Sequence, residues 1–91
     1  MKFDWDPNKA VRNLQRHGVS FEEAATVFDD ILGWTFFDPD HSQDEERFLT
    51  IGTSSVGRVL IVSHSEENDS IRIISAREVT RRERRDYESF H

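Results

Sequence analysis

Arginine is crowded into one short stretch of the chain, Arg77, Arg81, Arg82, Arg84 and Arg85, with Tyr87 just beyond. Guanidinium forks bind phosphate oxygens two at a time, so this stretch reads first as an anion site. Part of it has a plainer reading. Arg82 has Asp86 four residues on, Arg84 has Glu88 four on, and Arg85 has Glu88 three on, spacings at which helical ion pairs form. Arg81 has only Arg84 and Arg85 at those spacings, and Arg77 adds a further cation upstream. Thr80-Arg81-Arg82-Glu83 is a capping box, which puts Arg81 in a first helical turn, where a cation opposes the macrodipole. Each of these conflicts costs a few tenths to about 1 kcal/mol. They imply that positive charge is wanted where a strand end meets a helix N-terminus, whose free amides also attract anions. The alternative is a structural network of these arginines with Glu78 and Glu83.

Two further sets of residues carry possible chemistry. His64 and Arg58 fall at the same parity of an apolar strand, residues 58–65, and so point to one sheet face. A histidine beside an arginine suits proton transfer in phosphodiester cleavage, although a lone strand histidine is more often structural. His17 ends the first helix, where the dipole favours a cation. The acidic run from Asp38 to Glu46, with His41 inside it, could in principle hold a hard divalent cation. Its spacing fits no calcium loop, Pro39 interrupts it, and it reads as a solvated loop. No histidine pair has the spacing of a helical zinc site, and with no cysteine there is neither a disulfide nor a thiolate metal site.

These side chains need a scaffold, and 91 residues suffice for one domain, expected to span 1–91. Asp6-Pro7 starts a helix and Gly18 closes it, with Ala10, Val11 and Leu14 as its apolar stripe and Lys9, Arg12 and Arg16 turned to solvent or a ligand. Ser20-Phe21-Glu22-Glu23 is another capping box, opening a second helix that lines Phe21, Ala24, Ala25 and Phe28 along one face. A short edge strand is expected at 3–5, and strands at 48–51, 58–65 and 71–76 joined as antiparallel hairpins. The run Val59-Leu60-Ile61-Val62 lacks alternation and predicts a central strand covered on both faces. The apolar island Trp34-Thr35-Phe36-Phe37 is a candidate extra strand, and a last helix runs to about Glu88. The class is α+β, in the order β-α-α-β-β-β-α.

The net charge of −6 argues against nucleic-acid binding by the chain as a whole, but the charge is uneven. Residues 1–70 hold 6 Lys and Arg against 14 Asp and Glu, whereas residues 71–91 hold 6 Arg against 4 acids. An acidic body suits a basic protein partner, and an arginine face suits an anion. Nothing approaches the ~20 apolar residues of a membrane span, and the N-terminus has no apolar signal region, so a cytoplasmic protein is expected.

Several motifs in fixed order complete the reading: Phe3-Asp4-Trp5-Asp6-Pro7, Lys9-Ala10, Asn13-Leu14, His17 through Ala24, Glu46-Arg47, Ile51-Gly52, Ile73 through Arg77, then Arg82-Glu83-Arg84 and Tyr87. In this combination, over essentially the whole chain, the sequence resembles the BrnT family of bacterial type II toxins. The resemblance implies a RelE-like fold, a small antiparallel sheet with two N-terminal helices on one face and a C-terminal helix. It implies a metal-independent endoribonuclease without a cofactor, which cuts RNA and inhibits translation. A BrnA-like antitoxin with a ribbon-helix-helix part is the implied partner in a hetero-oligomer that represses its own operon, touching DNA only through the antitoxin. RelE-like toxins align the RNA 2′-hydroxyl with the scissile phosphate and stabilise the developing charge. On that pattern Arg77 and Arg81 are expected as phosphate clamps and Arg58 as a catalytic charge stabiliser. His64 and Tyr87 are the candidates for proton transfer, and Arg47, Arg82 and Arg85 for holding RNA. A catalytically weak homologue that serves only as an antitoxin-bound co-repressor is the alternative.

Overall fold

The computed structural model describes residues 1–89. Strand β1 (Lys2–Asp4) leads into helices α1 (Pro7–His17) and α2 (Phe21–Thr26), the second running on into a 3-10 turn at Val27–Asp29. Strands β2 (Trp34–Phe37), β3 (Phe48–Thr53), β4 (Val59–Glu67) and β5 (Ser70–Glu78) follow, and helix α3 (Arg81–Ser89) comes last. The sheet order is β1-β5-β4-β3-β2. The four later strands pair antiparallel, and β1 adds in parallel to β5. The expected α+β architecture is present, with Trp34–Phe37 as the additional strand and β4 at the centre.

The local signals act as their chemistry predicts. Asp6 accepts the Asn8 amide at 2.8 Å, Pro7 opens α1, and Gly18 closes it at φ 68°, donating to the Leu14 carbonyl. Thr80 and Glu83 form a complete capping box: the Glu83 amide donates to the Thr80 hydroxyl at 3.1 Å, and the Thr80 amide donates to the Glu83 carboxylate at 2.8 Å. The box at Ser20 is only half made. The Glu23 amide donates to Ser20 Oγ at 3.0 Å, but the Glu23 carboxylate turns instead to Ser54 and Arg58.

The main core lies between α1, α2 and one sheet face, where Val19, Phe21, Ala24 and Val27 meet Leu60, Val62, Ile71, Ile73 and Ala76. Gly52 lets the 3-10 turn sit close on β3, since a Cβ there would come within 2.9 Å of the Val27 side chain. Of the stripe expected for helix α1, only Ala10 packs against the core. Val11 and Leu14 are 56% and 52% exposed, and the buried residue is Asn13. Its side chain donates to the carbonyls of Val19 and Ala76 at 2.9 and 2.8 Å and accepts the Ala76 amide at 3.1 Å. Three buried hydrogen bonds to backbone thus set the roll of the helix, against the pull of two apolar side chains.

A bulge in β5 decides what the other face displays. Ser63 pairs with Ser75 but His64 pairs with Ile73, so Ile74 is an extra residue. Side chains alternate along a strand, and one inserted residue reverses the alternation beyond it. Ile71 and Ile73 before the bulge, and Ala76 after it, therefore all face the helices. Ser75 and Arg77, opposite Ser63 and Ile61, face the other way.

Candidate functional site

The face turned away from α1 and α2 is concave and largely open. Its floor is Leu49, Ile51, Ile61, Ser63 and Ser75, and Trp34 and Phe36 line it from the edge strand β2. Helix α3 closes one side, its Tyr87 packed with Ile51, Val59 and Ile61 in a second apolar cluster. Arg16 and His17 reach the groove from the end of α1, and Asp38, His41 and Arg47 from the loop between β2 and β3. The cavity is about 1060 Å³, and Arg16, Arg47 and Arg77 are three cationic residues in its lining.

Arg77 enters this groove from the end of β5, and Glu83 of α3 is already on it. Nη1 and Nη2 donate to the two carboxylate oxygens at 2.8 and 3.0 Å. The hydrogen bonds from Arg77, with the Thr80 amide and hydroxyl capping geometry added, hold the Glu83 carboxyl down at about 2 despite its partial burial. The same pairing raises the already high affinity of Arg77 for its proton. The junction of strand and helix foreseen as an anion site thus contains a closed fork-to-fork ion pair, in the local-network form that Glu83 allowed.

Tyr87 is buried against the floor, and its hydroxyl donates to Asp30 Oδ2 at 2.9 Å. The same oxygen accepts the Thr53 amide at 2.8 Å, so Asp30 ties α3 to β3. Burial pushes the Tyr87 phenol above its usual range. Arg81, Arg82 and Arg85 project from the exposed side of α3, outside the groove lining, and among the described residues they make no ion pair. Arg84 meets Glu88 at 3.3 Å, as its spacing predicts.

Arg58 and His64 share a face, but it is the face beneath the helices. Arg58 is taken up by Glu23: Nε donates at 3.0 Å, a second bond runs from Nη2, and Nη2 also donates to the Gly18 carbonyl at 3.0 Å. Those bonds, above desolvation in effect, pull the Glu23 carboxyl below its usual value. His64 is fully buried, edge-on to Phe28 with ring centroids 4.9 Å apart and stacked near Phe48. Its Nε2 lies 2.7 Å from the Thr50 hydroxyl, which in turn meets the Thr35 hydroxyl at 2.6 Å. Desolvation lowers the imidazole to about 4, so it is neutral at physiological pH. Neither residue joins Arg77 in the groove, because strand parity put them together on the side that the helices then covered.

The groove assembles instead a pair that the sequence hid inside an acidic run. His41 Nδ1 is 2.9 Å from Asp38 Oδ2 across a short 3-10 turn, Pro39–His41. The loop is held by backbone and hydroxyl contacts: the Asp38 amide donates to the Arg47 carbonyl at 2.9 Å, and the Arg47 amide donates to Ser42 Oγ at 2.9 Å. Among the described residues Arg47 Nε is buried without a hydrogen-bond partner, and the Glu45 carboxylate lies 4.0 Å away. A carboxylate on Nδ1 fixes the tautomer and leaves Nε2 available to take or give a proton. The readable signal was the Asp-Pro-x-His spacing, which a 3-10 turn eclipses onto one side. Among the described residues no three His, Asp or Glu side chains converge as a metal-ion site.

Comparison with known proteins gives the scaffold its kin. The crystal structure of the Brucella abortus ribonuclease toxin, BrnT, superposes with a TM-score of 0.65 at 21% identity, covering 89% of this chain and 99% of that one. That likeness concerns the fold. No curated protein matches the chain. The family described as "Ribonuclease toxin, BrnT, of type II toxin-antitoxin system" matches residues 5–83, which takes in both N-terminal helices, strands β2 to β5 and the Arg77–Glu83 pair. The chain belongs to the BrnT family of ribonuclease toxins of type II toxin-antitoxin systems.

Proposed function

We propose that the open sheet face is an RNA-cleaving site, a metal-independent endoribonuclease centre working by internal attack of a ribose 2′-oxygen on the adjacent phosphorus. The observation that carries this reading is the convergence of Arg16, Arg47 and Arg77 with the His41–Asp38 pair around one groove. Arginine forks suit the non-bridging phosphate oxygens, whose charge grows in the transition state. His41 Nε2 takes the proton from the 2′-hydroxyl, the new P–O2′ bond forms a cyclic phosphate, and the P–O5′ bond breaks. His17, at the α1 C-terminus in the same groove, is the candidate to protonate the departing 5′-oxygen. Trp34 and Phe36 offer flat surfaces on which unstacked bases can rest. Tyr87 orients α3, with its hydroxyl on Asp30 rather than on substrate. In this reading the exposed Arg81, Arg82 and Arg85 meet RNA backbone beyond the groove, and Arg58 and His64 support the fold.

Family membership implies an antitoxin partner. We take it to be BrnA-like, with a ribbon-helix-helix part that reaches DNA and lets the complex repress its own operon, while free toxin in the cytoplasm blocks translation. The closed Arg77–Glu83 pair favours one second reading, a catalytically weak homologue that acts only as co-repressor. Incubating the purified chain with single-stranded RNA in excess EDTA separates the two. Cleavage should persist, and Arg77→Ala and His41→Ala should each slow it by roughly 10²-fold or more while remaining folded. Full activity in both variants would remove the groove from the chemistry, and no cleavage by the wild-type chain would favour the co-repressor.

A further inference from the structure

Strand β2 ends the sheet, and the backbone alternation shows which of its groups face outward. The Asp38 amide donates to the carbonyl of Arg47, the residue opposite it in the β2–β3 register, so 38–47 stands at a hydrogen-bonding position of the ladder although the Arg47 amide turns to Ser42. Pairs alternate along such a ladder, which directs the backbone of Phe36 and Trp34 inward to β3 and that of Thr35 and Phe37 outward. Two residues therefore present two amides and two carbonyls along the edge. Edge strands are usually blunted by lysine, proline or a covering segment. This one reads Trp-Thr-Phe-Phe, with Trp34 and Phe37 exposed, and no described strand lies beyond it.

The surroundings select the occupant. Residues 29–46, which carry the edge and both its flanks, include seven Asp or Glu and no Lys or Arg. A complementary segment is extended, apolar at alternate positions and basic at its ends. We propose that the outward edge of β2 receives such a segment of the antitoxin as a sixth strand. A strand added there lies ~4.8 Å beyond β2 and continues the groove floor past Trp34 and Phe36. Its groove-side side chains would stand over the mouth beside Asp38 and His41, so the same contact that satisfies the edge shuts out a polynucleotide. This mode of recognition draws affinity from main-chain hydrogen bonds and specificity from alternate side chains.

The inference rests on the antitoxin partner and not on RNA cleavage, so a binding measurement tests it whatever the fate of the catalytic reading. The complex of the full chain with the antitoxin encoded beside it would be compared with the free chain by amide hydrogen exchange. The Thr35 and Phe37 amides should slow at least tenfold on binding. Phe37→Pro removes one outward donor without touching the inner ladder, and should raise the dissociation constant at least tenfold. Phe37→Leu keeps that donor and should bind within about twofold of wild type, since main-chain pairing governs affinity here. Unchanged exchange at Thr35 and Phe37 in the complex would overturn the proposal, whether or not the proline variant folds. So would equal losses in the two variants, which would make the contact one of side chains. Protection of these amides in the chain alone as its concentration rises would assign the edge to a second copy and would also overturn it.

Discussion

Glu83→Gln is the change that most directly asks what Arg77 is for. The carboxyl stands at about 2 instead of 4.5, and at ~1.4 kcal/mol per unit that difference sets a ceiling of about 3.4 kcal/mol on its contribution. Glu83 is 29% exposed and Arg77 41%, so solvent screening reduces the expected contribution to about 1–2 kcal/mol. Because the folded value is depressed, the contribution is complete above pH ~4.5 and is lost as pH falls toward about 2. Glutamine can keep the capping geometry while removing the charge. Urea unfolding at pH 7 should show a loss of about 1–2 kcal/mol, and the variant should be flatter than wild type between pH 4.5 and 2. The effect on RNA runs the opposite way. Freed of its carboxylate, Arg77 becomes an additional cation for phosphate, and the salt slope for a single strand steepens by about 0.7. That amounts to roughly a threefold greater loss of affinity between 50 and 200 mM salt. Fluorescence anisotropy with a 2′-O-methyl RNA oligonucleotide, which resists this cleavage chemistry, would measure it. An unchanged slope in a folded variant refutes the assignment of Arg77 to phosphate.

Two other changes test the scaffold under the site. Asn13→Ala strips the backbone of Val19 and Ala76 of three buried partners and should cost about 3 kcal/mol or more in denaturant unfolding; a loss below about 1 kcal/mol would refute its role in setting α1. His64 is lowered to about 4 by burial, so the stability of the chain should fall as pH drops from about 6.5 toward 4, the unfolded state taking up the proton first. His64→Leu should flatten that window and leave RNA cleavage intact in the folded variant, whereas a selective loss of cleavage would return His64 to the chemistry.

The elements were legible because their signals are local. Caps at Asp6, Ser20 and Thr80 act on amides two or three residues away, and the unbroken apolar run of β4 fits a central strand buried by α1 and α2 on one side and by Tyr87 on the other. The site was less legible because it depends on which face stays open. Parity correctly put Arg58 and His64 together, but it carries no information about which side the helices take. The α1 stripe held only at Ala10, for a related reason. Its apolar residues outnumber Asn13, yet the competing partner sits 63 positions away at Ala76, beyond any local window. His41 and Asp38 were visible as residues but read as part of a solvated acidic run, since their pairing appears only once Pro39 starts a 3-10 turn.

The bulge at Ile74 adds a separate physical cause, one that governs the direction of Arg77. Arg72 and Arg77 are five positions apart, an odd separation that in a regular strand would send them to opposite faces. With Ile74 inserted, Arg72 pairs opposite Ser65 and Arg77 opposite Ile61, both on the face away from the helices. Immediately beyond the bulge, Ala76 is held through its amide and carbonyl by Asn13 on one side of the sheet. Arg77 is held by Glu83 on the other. The irregular strand is thus clamped from both faces at successive residues, and the direction of Arg77 is fixed jointly by α1 and α3. A β-bulge re-aims side chains at the expense of ladder regularity, and here the lost regularity is replaced by side-chain hydrogen bonds from helices at opposite ends of the sequence. Loosening either helix should therefore disturb the groove before it unfolds the sheet.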